Sequence, residues 1–312
     1  MSYQISIRRA TPADVSLILT FIRELATYEK LAHEVVAREE DFHEALFGAH
    51  PVVEAVIASL AGEPVGYALF FANFSTFLGK PGLYLEDLYV RPEARGHGAG
   101  RALLEHLAQI AVERNWGRFE WAVLDWNAPA IAFYERMGAT VMPDWRLCRI
   151  TGEPLARLGR AAEPRDLAPI VRLIGRLAEF EHLEHLMQAT PEKLGPHLFG
   201  PRPVAEALVA ERGSEVVAFA LFFTNFSTFL AQPGLYLEDL FVRPSHRGRG
   251  IGEALLTRLA RLAVERDYGR FEWSVLDWNE PAIRFYERMG ATVMPDWRIC
   301  RIAGDALRGY AA

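Results

Sequence analysis

The sequence predicts a mixed α/β protein in which two tandem copies of one domain pair within a single chain. The first observation is an internal repeat, because the chain aligns with itself at an offset of 152 residues without a gap from about Arg8/Arg160 to Gly152/Gly304. Between residues 117 and 146, 27 of 30 positions are identical in the second copy. The second observation is that each copy alternates strand-like and helix-like apolar periods. Since this period is too long for a solenoid repeat, the duplicated unit is a whole domain.

The predicted elements of the first copy follow from local signals. Thr11-Pro12 is a helix start, Ala61-Gly62-Glu63 is a hairpin turn, and Asn127 and Gly138 can cap the two ends of one helix. In order, the copy reads as a strand at 4–8, a helix from 11, a short helix ending near 47–48, a hairpin of strands 52–59 and 64–72, a strand at 82–90, a helix at 101–114, a strand at 118–124, a helix at 129–137 and a strand at 145–150.

We place the domain boundary between residues 152 and 153, which gives domains 1–152 and 153–312. The junction 151–154 separates the last strand of the first copy from residues 155–159, the counterpart of its first strand. Four extended residues span only about 13 Å. The two domains must therefore lie against each other.

Composition restricts the possible partners. The net charge of −6 argues against nucleic acid or an anionic membrane, and it suits a cationic substrate. No apolar run reaches the length of a membrane span and no signal-like segment follows Met1, so we expect a soluble, cytoplasmic protein with no membrane partner. Cys148 and Cys300 are equivalent and lie in apolar strand-like runs, which indicates buried thiols rather than a disulfide or metal ligands. The paired tryptophans 121/273, 126/278 and 145/297 are interpreted as core residues.

A strand, a glycine-rich turn and a helix recur as the central motif of each copy. The strand PGLYLEDLYV contains Glu86 and Asp87 among apolar residues, and the turn Arg95-Gly-His-Gly-Ala-Gly100 leads into the helix. Such a turn exposes the first N–H groups of the helix and removes side chains, so it can bind a phosphate or pyrophosphate. It lacks the Lys-Ser/Thr of a P-loop and does not match G-x-G-x-x-G. In one copy alone, close helix packing would also explain the glycines.

These residues, together with Asn127-x-Pro-Ala-Ile-x-Phe-Tyr134 and Gly138-Ala139, resemble the GNAT acetyltransferase family, and within it the diamine (spermidine/spermine-type) and thialysine acetyltransferases. The resemblance covers almost all of each half. It implies acetyl-CoA as co-substrate, a small amine as acceptor, no metal, and pairing of the two halves like the subunits of a homodimer.

The resemblance also implies residues for binding acetyl-CoA. The turn would hold the pyrophosphate, backbone groups near the end of the strand would meet the acetyl carbonyl and pantetheine, and an asparagine would lie along the pantetheine arm. The residues in the two halves are Leu88, Val90, Arg95, Gly96, Gly98, Gly100 and Asn127, and Leu240, Val242, Arg247, Gly248, Gly250, Gly252 and Asn279.

Two pairs of residues are the candidate catalytic groups. Tyr134 and Tyr286 match the tyrosine that the family keeps near the CoA sulfur, and the alternative is a surface tyrosine on an amphipathic helix. Glu86 and Glu238 match a carboxylate that relays the proton of the acceptor. Because an ammonium has a pKa near ~10.4, its proton must leave before attack. The competing interpretation of these glutamates is a structural ion pair.

Other polar residues remain open. Asp87 and Asp239 are equally compatible with function and with an ion pair, and Glu29/Glu181 with function and a solvated helix face. Ser75 and Ser227 replace an aspartate of the polyamine enzymes, which weakens spermidine and spermine as substrates. His182-Leu-Glu-His185 matches no metal motif and is interpreted as a solvated face.

The leading hypothesis is an acetyl-CoA-dependent N-acetyltransferase that acts on a small primary amine by direct attack, with a competent site in each half. The alternatives are a CoA-binding or scaffold protein with one or both acceptor sites inactive, and an acetyltransferase for protein or peptide amino groups.

Overall fold

The computed structural model describes residues 5–150 and 160–311. The strands of the first half are β1 Ile5–Arg9, β2 Glu54–Leu60, β3 Glu63–Ser75, β4 Lys80–Val90, β5 Arg118–Leu124, β6 Thr140–Met142 and β7 Trp145–Ile150. Those of the second half are β8 Arg160–Ala161, β9 Glu206–Arg212, β10 Glu215–Ser227, β11 Gln232–Val242, β12 Phe271–Leu276, β13 Thr292–Met294 and β14 Trp297–Ala303.

The helices repeat in the same way. They are α1 Val15–Tyr28, α2 Glu39–Phe47, α3 Ala99–Glu113 and α4 Ala128–Arg136 in the first half, and α5 Leu167–Glu181, α6 Pro191–Phe199, α7 Ile251–Glu265, α8 Glu280–Arg288 and α9 Gly304–Arg308 in the second. These bounds agree with the sequence-predicted elements to within a few residues. The counterpart predicted for residues 155–159 lies outside the described residues.

The strands form two mixed sheets of seven strands each. Their orders are β1-β2-β3-β4-β5-β14-β6 and β13-β7-β12-β11-β10-β9-β8. Within each sheet only the central pair, β4 with β5 or β11 with β12, is parallel among the described pairings. The prediction of two tandem mixed α/β units is confirmed.

The last strand of each half lies in the sheet of the other half. β7 pairs antiparallel with β12 from Trp145 to Ile150, and β14 pairs with β5 from Trp297 to Ala303. The sequence predicts both strands but not this exchange. The predicted boundary at residues 152 and 153 falls outside the described residues and stays a prediction.

The exchange joins the cores of the two halves. Cys300, Ile302 and Leu307 from the second half pack with α3 and β5, whereas Cys148 from the first half packs with α7 and β12. A third core lies between the two halves and combines α1 and α2 with α5 and α6. Both cysteines are buried free thiols, as predicted. The two halves are therefore parts of one interlocked structure.

The interpretation of the paired tryptophans as core residues holds for one pair of three, because Trp145 and Trp297 are only half-buried and the third pair is exposed. Trp121 and Trp273 are buried, but Trp126 and Trp278 are each 47% exposed. Trp126 follows the end of β5, where its ring packs against Tyr28 at a centroid distance of 5.9 Å. These two exposed tryptophans thus mark a surface that both halves retain.

Candidate active site

The glycine-rich turns have the backbone conformation that the sequence requires of them. Gly96 and Gly98 have φ angles of +79° and +92°, and Gly248 and Gly250 have +71° and +76°. Only glycine adopts this left-handed region without strain. α3 begins directly after Gly98 and α7 directly after Gly250, so the free N–H groups of each helix start lie at the turn.

Gly100 and Gly252 differ from these glycines because the fold itself does not need them. A Cβ atom added at Gly100 would approach no protein atom closer than 3.8 Å, and at Gly252 none closer than 3.7 Å. Neither residue has a positive φ. Open space over a helix start is what a phosphate needs, so the turn fits the pyrophosphate of CoA.

We therefore expect the double variant Gly100→Ala/Gly252→Ala to weaken acetyl-CoA binding by ~10-fold or more without lowering stability, because a methyl group would occupy the space of a phosphate oxygen. Titration calorimetry and thermal unfolding measure the two quantities. Gly175→Ala on α5 is the matched control, since its Cβ would likewise cause no close contact and would meet no atom within 4 Å. Equal affinity in all three proteins would contradict a cradle at this turn.

The arginine of each turn fastens the end of the central strand to the turn. Arg95 Nε donates a hydrogen bond of 2.9 Å to the Val90 carbonyl, and Arg247 does the same to Val242 at 3.0 Å. The Arg95 guanidinium also lies 5.0 Å from the centre of the Tyr28 ring. Arg95 thus fixes the position of the turn relative to the strand and leaves its charge beside the helix start.

The edges of the central strands are open beyond their midpoints. Pairing of β4 with β5 ends at Leu85 and Trp121, and pairing of β11 with β12 ends at Leu237 and Trp273. The segments that contain Leu88, Val90, Leu240 and Val242 therefore have no partner strand on that side among the residues that the structure describes. Buried backbone groups need hydrogen-bond partners, and a bound ligand can supply them here.

Asn127 and Asn279 cap the starts of α4 and α8, as the sequence predicts. The Asn127 side chain accepts a hydrogen bond from Ala130 N at 3.4 Å, and Asn279 accepts one from Ala282 N at 3.3 Å. Asn127 also accepts a bond of 3.2 Å from the Tyr28 hydroxyl. Since Phe180 replaces Tyr28 in the second half, this contact is particular to the first.

Tyr134 and Tyr286 are buried rather than at the surface. Each is 8% exposed, and each ring packs against a tryptophan, Trp121 or Trp273, at a centroid distance of 4.9 Å. Burial raises the pKa of both phenols above the usual range, so both remain protonated at neutral pH. The alternative of a surface tyrosine is therefore wrong.

Glu86 is part of a buried ion pair between the two halves. Its carboxylate accepts two hydrogen bonds, of 2.8 and 2.9 Å, from Arg270 of the second half. Arg270 also pairs with Glu272 at 2.8 Å. The mirror-image cluster joins Glu238 to Arg118 at 2.8 and 2.9 Å, and Arg118 to Glu120 at 2.7 Å. The structural ion pair that the sequence left open as an alternative is thus present in both halves.

The central strand bulges at this glutamate. Leu69 pairs with Asp87 and Phe70 with Leu85, so Glu86 is the extra residue of β4, and Glu238 is its equivalent in β11. A bulge redirects side chains and is frequent beside active sites. It explains how consecutive residues Glu86 and Asp87 both lie at the cavity.

Two further carboxyl groups of the first half have strongly perturbed acidity. Burial, with the charge of Glu86, raises the pKa of Asp87 to about 7. Burial, with the charges of Asp87 and Glu86, raises the pKa of Glu29 to about 8. Glu29 directly follows α1 and is half-buried, so the interpretation of a solvated helix face is wrong. Groups that titrate near neutral pH inside a cavity are candidate acid–base catalysts.

A single cavity of about 1180 Å³ joins these features in the first half. It is lined by the glycine turn, by Asn127 and Tyr134, and by the carboxyl groups Glu29, Glu86 and Asp87. Thr228, Arg270 and Trp297 of the second half complete its wall. The sequence did not reveal these three, because their proximity depends on how the halves pair.

Two remaining sequence interpretations concern the loops. Ser75 and Ser227 each accept a hydrogen bond from a backbone N–H three residues later, at 3.3 and 3.4 Å, and so shape their turns. Within the described ranges no three His, Cys, Asp or Glu residues cluster as metal ligands, and His182 instead ends α5. In the same ranges no helix has the length and hydrophobicity to cross a membrane.

An αβ fold with a splayed central strand, a glycine-rich helix start and a buried tyrosine defines a class of acyl-transfer proteins. The model of the acetyltransferase (GNAT) family matches residues 19–139 and 173–291 of this sequence. The chain therefore belongs to the GNAT acetyltransferase family, with one family unit in each half.

Curated relatives each match about half of the chain. An L-ornithine N5-acetyltransferase of Arabidopsis thaliana is 36% identical over 203 residues, which span 51% of this chain and 89% of the relative. A thialysine N-epsilon-acetyltransferase of Sus scrofa is 39% identical over 163 residues, 49% of this chain and 95% of the relative.

Solved structures resemble the whole chain in fold. A GCN5-related N-acetyltransferase from Sphaerobacter thermophilus has a TM-score of 0.56 at 20% identity, covering 96% of this chain and 95% of that one. A tandem GNAT protein from the clavulanic acid biosynthesis pathway has a TM-score of 0.53 at 16% identity, covering 96% and 98%. The tandem arrangement is thus shared by a solved structure of the same fold.

Proposed function

We propose that the protein transfers an acetyl group from acetyl-CoA to a small primary amine, with one working site in each half. The observation that supports this most directly is the single cavity that joins the glycine cradle, the open edge of β4, the buried Tyr134 and a group of carboxyl groups. The second half retains the equivalent residues, with Tyr286, Asn279 and the turn at Gly248 to Gly252.

Each part of the site has a task in this reaction. The turn and helix start bind the pyrophosphate, and the unpaired edge of β4 orients the thioester and can donate to the oxygen that becomes negative during attack. A carboxylate of the cavity takes a proton from the acceptor ammonium, which frees its lone pair to attack the carbonyl carbon. As the tetrahedral adduct collapses, the C–S bond breaks and Tyr134 protonates the departing thiolate. The attacking nitrogen then gives up its remaining extra proton, which restores the phenol of Tyr134.

In this proposal Glu86 is a structural residue, whereas the sequence indicated the carboxylate that relays the proton of the acceptor. A carboxylate that holds Arg270 through two hydrogen bonds is a poor proton acceptor, because protonation would break a buried ion pair. We propose that Glu86 and Glu238 stabilise the bulge and the contact between the two halves. The neighbouring carboxylates then accept the proton from the amine.

The relatives indicate the class of acceptor. Those with more than 35% identity are named for ornithine and thialysine, which are amino acids with a primary amine at the end of the side chain. The carboxyl groups of the cavity suit such a cationic group. Basic amino acids are therefore the first acceptors to test, followed by diamines and polyamines, with short peptides as the test of the protein-substrate alternative.

The test is amine-dependent release of CoA thiol from acetyl-CoA, together with the stoichiometry of acetyl-CoA binding. We expect turnover with one class of small amine and saturation at about two acetyl-CoA per chain. Binding without turnover on any acceptor would support a scaffold role. Saturation at one per chain would contradict a site in each half.

A further inference from the structure

The two halves differ at one buried residue beside the acceptor carboxylates. In the first half the Tyr67 hydroxyl donates a hydrogen bond of 2.5 Å to Asp87 Oδ2, and Tyr67 is completely buried. Thr228, which belongs to the second half, also hydrogen-bonds to the Asp87 side chain. Asp87 therefore has two hydroxyl donors, and both stabilise its ionised form.

The equivalent aspartate of the second half lacks one of these donors. Phe219 replaces Tyr67 and is equally buried, so Asp239 keeps only the hydroxyl of Thr76. Asp239 Oδ2 is a buried atom without a hydrogen-bond partner among the described residues, and Asp239 is only 9% exposed. A buried oxygen without a donor is costly when charged but can instead carry a proton.

The other charged groups near the two aspartates are equivalent. Asp87 is surrounded by Glu86, Glu29 and Arg270, and Asp239 by Glu238, Glu181 and Arg118. At the aspartates the difference between the halves therefore lies in Tyr67 and Phe219. Beside the paired glutamates, Tyr28 and Lys30 of the first half are replaced by Phe180 and His182.

The titration of the carboxyl pairs is consistent with this difference. In the first half burial and repulsion from neighbouring carboxylates raise the pKa of Asp87 to about 7 and that of Glu29 to about 8, so a proton is retained within the pair near neutral pH. In the second half burial raises the pKa of Glu181 to about 7, and burial with the charges of Glu238 and Glu181 raises that of Asp239 well above its usual range. Each pair thus retains a proton, and the two hydroxyl donors of Asp87 favour its ionised form, whereas the unpartnered Oδ2 of Asp239 among the described residues favours its protonated form.

We propose that the proton acceptor for the amine is Asp87 in the first half and Glu181 in the second, and that the buried residue pair Tyr67 and Phe219 determines this difference. Each site then holds two carboxyl groups and one shared proton, which rests on Glu29 in the first half and on Asp239 in the second. In each case the amine N–H bond breaks and an O–H bond forms on the ionised carboxylate. Tyr67 acts through Asp87 and is a positioning residue. The inference rests on the proposed acetyl transfer.

The test uses full-length chains in which one half is silenced by Tyr286→Phe or Tyr134→Phe. In the first half we expect Asp87→Asn to lower kcat by ~100-fold or more and Glu29→Gln by less than ~10-fold, since a glutamine resembles a protonated glutamate. In the second half we expect the opposite order, with the larger loss from Glu181→Gln and the smaller from Asp239→Asn. The same order in both halves would overturn the proposal.

Reciprocal exchange of the buried ring separates positioning from packing. Tyr67→Phe removes a donor to ionised Asp87, so the pKa of Asp87 rises and the rise of kcat/KM with pH in the first half moves to higher pH. In the Tyr67→Phe background, Glu29→Gln should then lower kcat more than Asp87→Asn does. In the second half, Phe219→Tyr should make Asp239→Asn more damaging to kcat than Glu181→Gln. A purely structural role would change stability but neither the pH profile nor the order of these losses.

A measurement without turnover keeps this inference separate from the proposed function. Carbon-13 NMR of labelled Asp and Glu carboxyl groups in the full chain, assigned with the four single variants, follows each titration. We expect Asp87 and Glu181 to ionise before their partners, and Tyr67→Phe to raise the Asp87 midpoint. If Asp87 and Glu181 ionise before their partners but no amine is turned over, the proposed function is rejected and this inference is not. Equal titration of Asp87 and Asp239 would overturn the inference whatever the activity.

Discussion

The double variant Tyr134→Phe/Tyr286→Phe is expected to lower acetyl transfer by ~10²- to 10⁴-fold, the usual effect of losing a general acid. Each single variant should keep about half of the turnover, because the second site still works. The substitution removes one hydroxyl and leaves the ring against Trp121 or Trp273. Release of CoA thiol, measured at saturating acceptor for all three variants, gives the comparison.

The control is Tyr84→Phe, which removes another phenol from the wall of the same cavity while its ring stays stacked on Phe71. It should retain nearly all activity. A double variant as active as the parent would exclude the tyrosines as proton donors. Near-complete loss in either single variant would show that the two halves do not turn over independently.

The largest expected effect on stability comes from Arg270→Met. This arginine is buried and ion-paired with both Glu86 and Glu272, so its removal leaves Glu86 without its ion-pair partner and Glu272 with Arg149 alone. Breaking such a pair costs about 3–5 kcal/mol in the free energy of unfolding, although replacing a whole pair by apolar residues can be neutral. Urea unfolding monitored by tryptophan fluorescence gives the difference.

Two variants show whether the loss is due to unpaired buried charge. Glu86→Gln added to Arg270→Met should restore part of the stability, because the carboxylate that lost its ion-pair partner is then replaced by a neutral amide. Arg284→Met removes an exposed arginine paired with Glu280 and should change stability by less than about 1 kcal/mol. If Arg270→Met were as mild as Arg284→Met, the cluster would not hold the halves together.

The sequence predicted local structure well because each signal is local. Asn127 caps α4, and the strand at residues 118–124 has the predicted ends. The exchange of β7 and β14 could not be predicted in the same way. β5 and β12 are almost identical in sequence, so β7 finds the same pattern of partners in either sheet. Only the packing of the whole chain distinguishes the two arrangements.

The sequence predicted those site residues that belong to one local motif, but not those that the second half contributes to the cavity of the first. The glycine turn and Tyr134 belong to recognisable motifs, and the structure places both at the cavity. Arg270 and Thr228 are far from Glu86 and Asp87 in sequence, and no spacing rule connects them. Glu29 was undervalued because an acidic residue at a helix end usually faces solvent, whereas here it is half-buried beside other carboxyl groups.

The exchanged strands also affect how the two sites can diverge. In a symmetric assembly of identical chains, every amino-acid change appears twice, at both sites together. Here each sheet is completed by a strand encoded in the other half, so neither half can be separated intact, yet each position occurs once. A tyrosine at 67 can therefore coexist with a phenylalanine at 219 in one inseparable body. Joining the two copies in one chain keeps the architecture of a dimer while it removes the requirement that both sites remain the same.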